Sequence, residues 1–182
     1  MNVEQQSSYS KEELLRMAQG KLPGFEGAKL PSPPMLMVSR IIKISKTGGK
    51  FEKGEVIAEM DIDPSLWFFD CHFKDDPVMP GCLGLDALWQ LTGFFLSWCG
   101  GKGIGRALGC DEVKFKGQVR PHHKKIVFRI SIRKILKKPI ALVLADGMME
   151  VEGREIYFAK KLRVGLFENL TYPPPEGEVE PF

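Results

Sequence analysis

The chain has 182 residues, 43% of them hydrophobic and 27% charged, with a formal net charge of +3. This is the composition of an ordinary globular protein with one substantial core, and its charge is too small to argue for nucleic acid by itself, though a local basic patch could face an acidic partner. No stretch reaches the roughly 18 uninterrupted apolar residues of a membrane span.

In chain order, Ser10 and Glu13 predict a capping box that opens a short helix, which Gly20 ends. A Pro/Gly-rich lead-in follows, so residues 1–34 are read as an N-terminal helix and lead-in to one domain covering residues 1–182. Met35 to Ser45 and Phe51 to Ile62 read as a hairpin of two strands turned by Thr47-Gly48-Gly49. Pro64 delivers the chain to an aromatic cluster at Trp67, Phe68 and Phe69. A long apolar helix then runs from Cys82 to Cys99 with Asp86 as its one carboxylate and no other charged side chain. A helix that is apolar all round predicts burial. Beyond the Gly-rich bend at residues 100–105, strands are predicted at Arg106 to Val119 (interrupted near Cys110-Asp111), Ile126 to Leu136, Ile140 to Val151 and Glu155 to Phe167. The Ile126 strand alternates strictly, so one sheet face is covered. Residues 171–182 read as an irregular tail. Short links predict an antiparallel sheet, curved around the long helix, with exposed edges that a homodimer would cover.

Four cysteines without a CxxC predict buried free thiols. The N-terminus lacks a charged start followed by an apolar run, which predicts no secretory signal and a cytoplasmic protein.

Two residues stand out chemically. His72 precedes Pro77-Val78-Met79-Pro80-Gly81, a turn into a helix start. The first N–H groups of a helix lack internal partners and suit a carbonyl oxygen that gains negative charge, and Gly81 lets a ligand approach that backbone. Asp86 lies about one turn further on. It is either a structural acid bonded to nearby backbone or an acid kept protonated by apolar surroundings so that it can donate. A base, an oxyanion site and a proton donor at one helix entrance suit proton abstraction beside a carbonyl, followed by loss of a β-substituent.

The stretch CHFKDDPVMPGCLGLDALWQLTGFF, residues 71–95, resembles the signature of bacterial 3-hydroxydecanoyl-acyl-carrier-protein dehydratase/isomerases, hot-dog-fold enzymes of unsaturated fatty acid synthesis. The similarity continues through LPSPPMLMVSRI, TGGKFEKGEV, GRALGCDEVKFKGQV, LADGMMEVEGREIY and LRVGLF. Related dehydratases without the isomerase role usually carry Glu where this chain has Asp86.

The resemblance implies an α+β hot-dog fold and a homodimer that takes the histidine of a site from one subunit and the acid from the other. It implies that His72 removes the Cα proton of a (3R)-hydroxyacyl thioester, that the Gly81 N–H binds its carbonyl, and that Asp86 protonates the departing hydroxyl. Phe73, Val78, Cys82 and Trp89 would line the acyl tunnel, with Phe94 and Phe95 as further wall candidates. Lys134, Lys137, Lys138 and Arg163 would receive an acidic acyl carrier protein. Pro139, where another basic residue is usual, and the YPPPEGEVEPF extension depart from the pattern.

No cofactor or metal is expected: His122-His123 has no partner at ligand spacing, and the glycines of 100–105 lack the GK[ST] and strand-then-helix context of a phosphate loop. No nucleic-acid or membrane partner is expected either. A dehydratase without isomerase activity, a hot-dog thioesterase and a non-catalytic acyl-binding protein are the competing readings; the last has no need of both His72 and Asp86.

Overall fold

The computed structural model describes residues 5–25, 27–138 and 140–168. Pro139 and the tail lie outside them.

Helix α1 (Lys11–Ala18) starts as predicted: Glu13 N–H donates to Ser10 Oγ at 3.3 Å, and Ser10 N–H donates to Glu13 Oε2 at 2.7 Å. Strands β1 (Arg40–Ser45) and β2 (Glu55–Asp61) follow, then a 3₁₀ turn at Trp67–Phe69 and helix α2 (Gly81–Trp98). The second half holds β3 (Ile104–Gly109), β4 (Glu112–Phe115), β5 (Lys125–Leu136), β6 (Ala141–Val151) and β7 (Arg154–Phe167). Among the described residues these seven strands form one antiparallel sheet in the order β1-β2-β5-β6-β7-β3, with β4 also on β7. The sheet lies against α2, and the architecture is the α+β hot-dog fold.

Alternation decides which face carries the core. Ile126, Phe128, Ile130 and Ile132 are each at most 1% exposed and face α2, whose Ala87, Leu88, Leu91, Phe94 and Phe95 are at most 2% exposed. Burying each of the larger side chains contributes about 1.5–3 kcal/mol. The bend that wraps the sheet comes from neighbouring register shifts at Ile132/Lys134 in β5 and Ala145/Gly147 in β6. Asp146 fastens the bend by accepting from Arg133 Nη2 at 2.7 Å and from the Lys161 N–H at 3.0 Å.

The helix is not enclosed all round. Cys82, Leu85, Asp86, Trp89 and Gly93 form a stripe at i, i+3 and i+4 spacing that this chain leaves partly open. The two sheet edges also differ. Residues 7–9 cover β1, with Tyr9 N–H donating to the Ile41 carbonyl at 2.8 Å and Ile44 N–H to the Ser7 carbonyl at 2.8 Å. The edge formed by β3 and β4 has no such cover among the described residues, and Ile104 (41%) and Phe115 (59%) are exposed there.

Three expectations need correction. The first strand begins at Arg40, not Met35, because the backbone at Met35 and Met37 is bonded by the Gln90 side chain instead of a neighbouring strand. The first hairpin has a wide loop over residues 46–54, since Gly48, Gly49, Glu52 and Gly54 all take positive φ. The thiols are free, but Cys71 and Cys82 are exposed: Cys71 lies in the loop after the 3₁₀ turn, and Cys82 at the helix start faces an open cavity. None of the helices among the described residues is long and apolar enough to cross a membrane.

Candidate active site

The segment from Asp63 to Gly81 is held from both ends. Ser65 N–H and Oγ donate to Asp63 Oδ1 at 2.8 and 2.6 Å, which sets the turn into the aromatic cluster. Phe68 and Phe69 then bury their rings edge to face, 4.6 Å apart, and anchor the loop that follows. His72 N–H donates to the Phe68 carbonyl at 3.0 Å, and Val78 N–H returns to the His72 carbonyl at 2.8 Å. Arg120 braces this loop by donating to Asp76 and to the Pro77 carbonyl. The His72–Phe73 peptide bond is cis.

Within that frame His72 Nδ1 lies 2.9 Å from the Val78 carbonyl oxygen. A carbonyl only accepts, so Nδ1 carries a proton, and in the neutral tautomer the free lone pair falls on Nε2. The ring stacks on Phe73 at 4.1 Å. Helix α2 begins beside it at Gly81, with Pro80 as N-cap and no side chain accepting the first N–H groups. Those donors and the positive end of the helix dipole remain available to an oxyanion. A Cβ at Gly81 would come 2.5 Å from the outer edge of the exposed Phe115 ring, which would have to swing aside.

His72, Phe73, Val78, Gly81 and Cys82 line one cavity of about 1100 Å³. Asp86 and Trp89 do not. They line a second cavity of about 340 Å³, walled by Gly105, Arg106 and Ala107 of β3. The helix explains the division: successive residues turn by about 100°, so Leu85 faces the first cavity and Asp86 the second. Within one chain Trp89 therefore does not wall the His72 cavity, and its Nε1 donates to the Gly109 carbonyl at 3.4 Å. Phe94 borders the second cavity and Phe95 a third. Asp86 is half-buried, contrary to its expected full enclosure, because it belongs to the open stripe of α2.

Residues 30–160 match the FabA-like domain family. The chain belongs to that family. Its hot-dog fold also recurs in solved structures of low identity. The dehydratase heterocomplex ApeI:P from Xenorhabdus doucetiae aligns with a TM-score of 0.60 at 14% identity, covering 75% of this chain and 86% of that one. Cj0977, a sigma28-regulated virulence protein from Campylobacter jejuni, aligns at 0.57 and 10% identity, covering 88% and 94%. AziG from S. sahachiroi aligns at 0.51 and 8%, covering 71% and 90%.

Two residues of this FabA-like chain escaped the sequence reading. Gln90 Nε2 donates to Asp86 Oδ2 at 2.6 Å and to the Met35 carbonyl at 2.8 Å, while Gln90 Oε1 accepts from Met37 N–H at 3.1 Å. It fixes the carboxylate, and its i+4 spacing from Asp86 was the available signal. Tyr157 lies on the floor of the His72 cavity, paired across strands with Met149 and Phe115. Burial pushes its phenol far above the ordinary range, with Cys82 and Asp86 adding to the effect, so it stays a neutral donor.

Of the basic residues expected at the surface, Lys134 and Arg163 flank Leu144 in one row across β5, β6 and β7. Lys137 lines the third cavity, and Lys138 is exposed. Arg163 is engaged by Asp111 at 2.6 Å, so its charge is partly answered within the chain.

Proposed function

We propose that this protein dehydrates (3R)-3-hydroxyacyl thioesters of about decanoyl length carried on acyl carrier protein, and isomerises the trans-2-decenoyl product to cis-3-decenoyl. The observation that carries the reading is His72, with Nδ1 committed to the Val78 carbonyl and Nε2 left basic, beside the uncapped start of α2 in an apolar cavity.

His72 Nε2 takes the proton from C2 of the acyl chain. The charge that develops on the thioester oxygen is held by the Gly81 N–H. The C3–O bond breaks and the hydroxyl leaves as water with a proton from Asp86, giving the trans-2-enoyl thioester. Isomerisation then removes a proton from C4 and returns one to C2, again at His72. Each positioned acid or base accounts for roughly 10²–10⁴ in rate.

Because His72 and Asp86 of one chain line separate cavities, the reaction needs a second copy. Pairing along the uncovered β3–β4 edge would cover Ile104 and Phe115 and close the open stripe of α2, joining the His72 cavity of one copy to the Asp86 cavity of the other. Lys134, Lys137, Lys138 and Arg163 would receive the acidic carrier protein, and the work would be cytoplasmic.

Incubation with 3-hydroxydecanoyl thioester, followed by separation of products, tests the function. Both trans-2 and cis-3 decenoyl thioesters are expected. Trans-2 product alone would reduce the reading to a simple dehydratase, and unchanged substrate would overturn it.

A further inference from the structure

Among the described residues, one buried side-chain polar atom lacks a hydrogen-bond partner: the hydroxyl of Tyr157. The residue is 2% exposed and sits in the wall of the cavity that holds His72 and Gly81. Its ring is fixed between Met149 and Phe115, the latter edge-on at 5.2 Å. Its oxygen rests against the backbone of Gly84, where any Cβ would collide with it. Phenylalanine would fill the same space without leaving a donor unmade, and an unmade buried donor is costly. The side chains around it are mostly apolar (Phe73, Met79, Leu85, Val113 and Met149), and no acceptor of the same wall, His72, Cys82 and Gln118 included, bonds the hydroxyl. An occupant of the cavity can supply one.

Position along α2 says which atom of the occupant that is. Gly81 opens the helix, where the thioester carbonyl would bind, and Gly84 lies about 4.5 Å further along the axis. In a 3-hydroxyacyl thioester the next oxygen inward from the carbonyl is the 3-hydroxyl, two carbons along the chain.

We propose that the Tyr157 hydroxyl donates a hydrogen bond to the 3-hydroxyl oxygen of the bound acyl chain, making it the residue that sorts 3-hydroxyacyl from saturated acyl thioesters. The inference rests on the dehydratase reading and deepens it. Tyr157 thereby holds the leaving oxygen in place while the acid and base act.

The test compares binding of 3-hydroxydecanoyl- and decanoyl-N-acetylcysteamine by calorimetry, in a His72→Asn background that prevents turnover. With Tyr157 present, the hydroxylated ligand should bind about 10-fold tighter. Adding Tyr157→Phe should erase that preference while leaving decanoyl affinity unchanged, and the melting temperature of the empty protein should stay level or rise. A preference that survives the substitution, or is absent from the start, overturns the proposal. So does equal weakening of both ligands, which would assign the hydroxyl to the carbonyl. A lower melting temperature or failure to fold overturns it too, by showing a structural role. Turnover by the unsubstituted protein is scored separately, so failure of the dehydratase reading is distinguishable from failure of this contact.

Discussion

Replacing Gln90 with leucine removes three hydrogen bonds at nearly constant volume, so the loss is polar and leaves little cavity. The three do not weigh equally. Met37 is 2% exposed, and its N–H would be left without its acceptor, costing about 1–3 kcal/mol. Met35 is 40% exposed, so water replaces the amide at its carbonyl for little. The bond to the half-buried Asp86 carboxylate adds about 1 kcal/mol after solvent competes for it. The expected total is about 3 kcal/mol, a large part of the roughly 5–15 kcal/mol of a typical domain. For a chain of this size it corresponds to a melting temperature lower by about 6–12 °C. Thermal unfolding followed by circular dichroism reads the stability. Steady-state dehydration kinetics read the site: kcat should fall by up to about 10²-fold with KM little changed, since Asp86 loses its orientation while the His72 cavity is untouched. A melting temperature within about 2 °C of the wild type would refute the reasoning.

His72→Asn and Asp86→Asn should each lower dehydration by about 10²–10⁴-fold while leaving the far-ultraviolet spectrum unchanged. Mixing the two inactive variants and allowing subunit exchange should restore about a quarter of the wild-type sites; no recovery after verified exchange would reject the shared site. Lys134→Glu with Lys137→Glu should raise KM about 10-fold for the carrier-borne substrate and leave a small soluble thioester unaffected. The wild type should lose the same advantage as salt is raised.

Local features were legible because local rules act on neighbours in sequence. The Ser10–Glu13 box, the alternation of Ile126 to Ile132 and the break near Cys110-Asp111 each reappear where residue chemistry places them. The start of β1 was not legible: the backbone at Met35 and Met37 has the pattern of a strand, but its hydrogen bonds go to a side chain 53 and 55 residues away. The loop at 46–54 was misjudged because four positions with positive φ, at Gly48, Gly49, Glu52 and Gly54, widen it beyond a tight hairpin.

By itself, the sequence determined most of the secondary elements, the apolar character of the long helix and the placing of a histidine loop before a glycine at a helix start. These follow from periodicity, capping and proline or glycine placement, all local constraints. Only the tertiary structure decided that Val78 sets the tautomer of His72, that Leu85 and Asp86 face different cavities, and that Tyr157 meets Gly84. Those outcomes depend on how a bent sheet crosses a helix, and the crossing is set by long-range packing that no window of neighbouring residues contains.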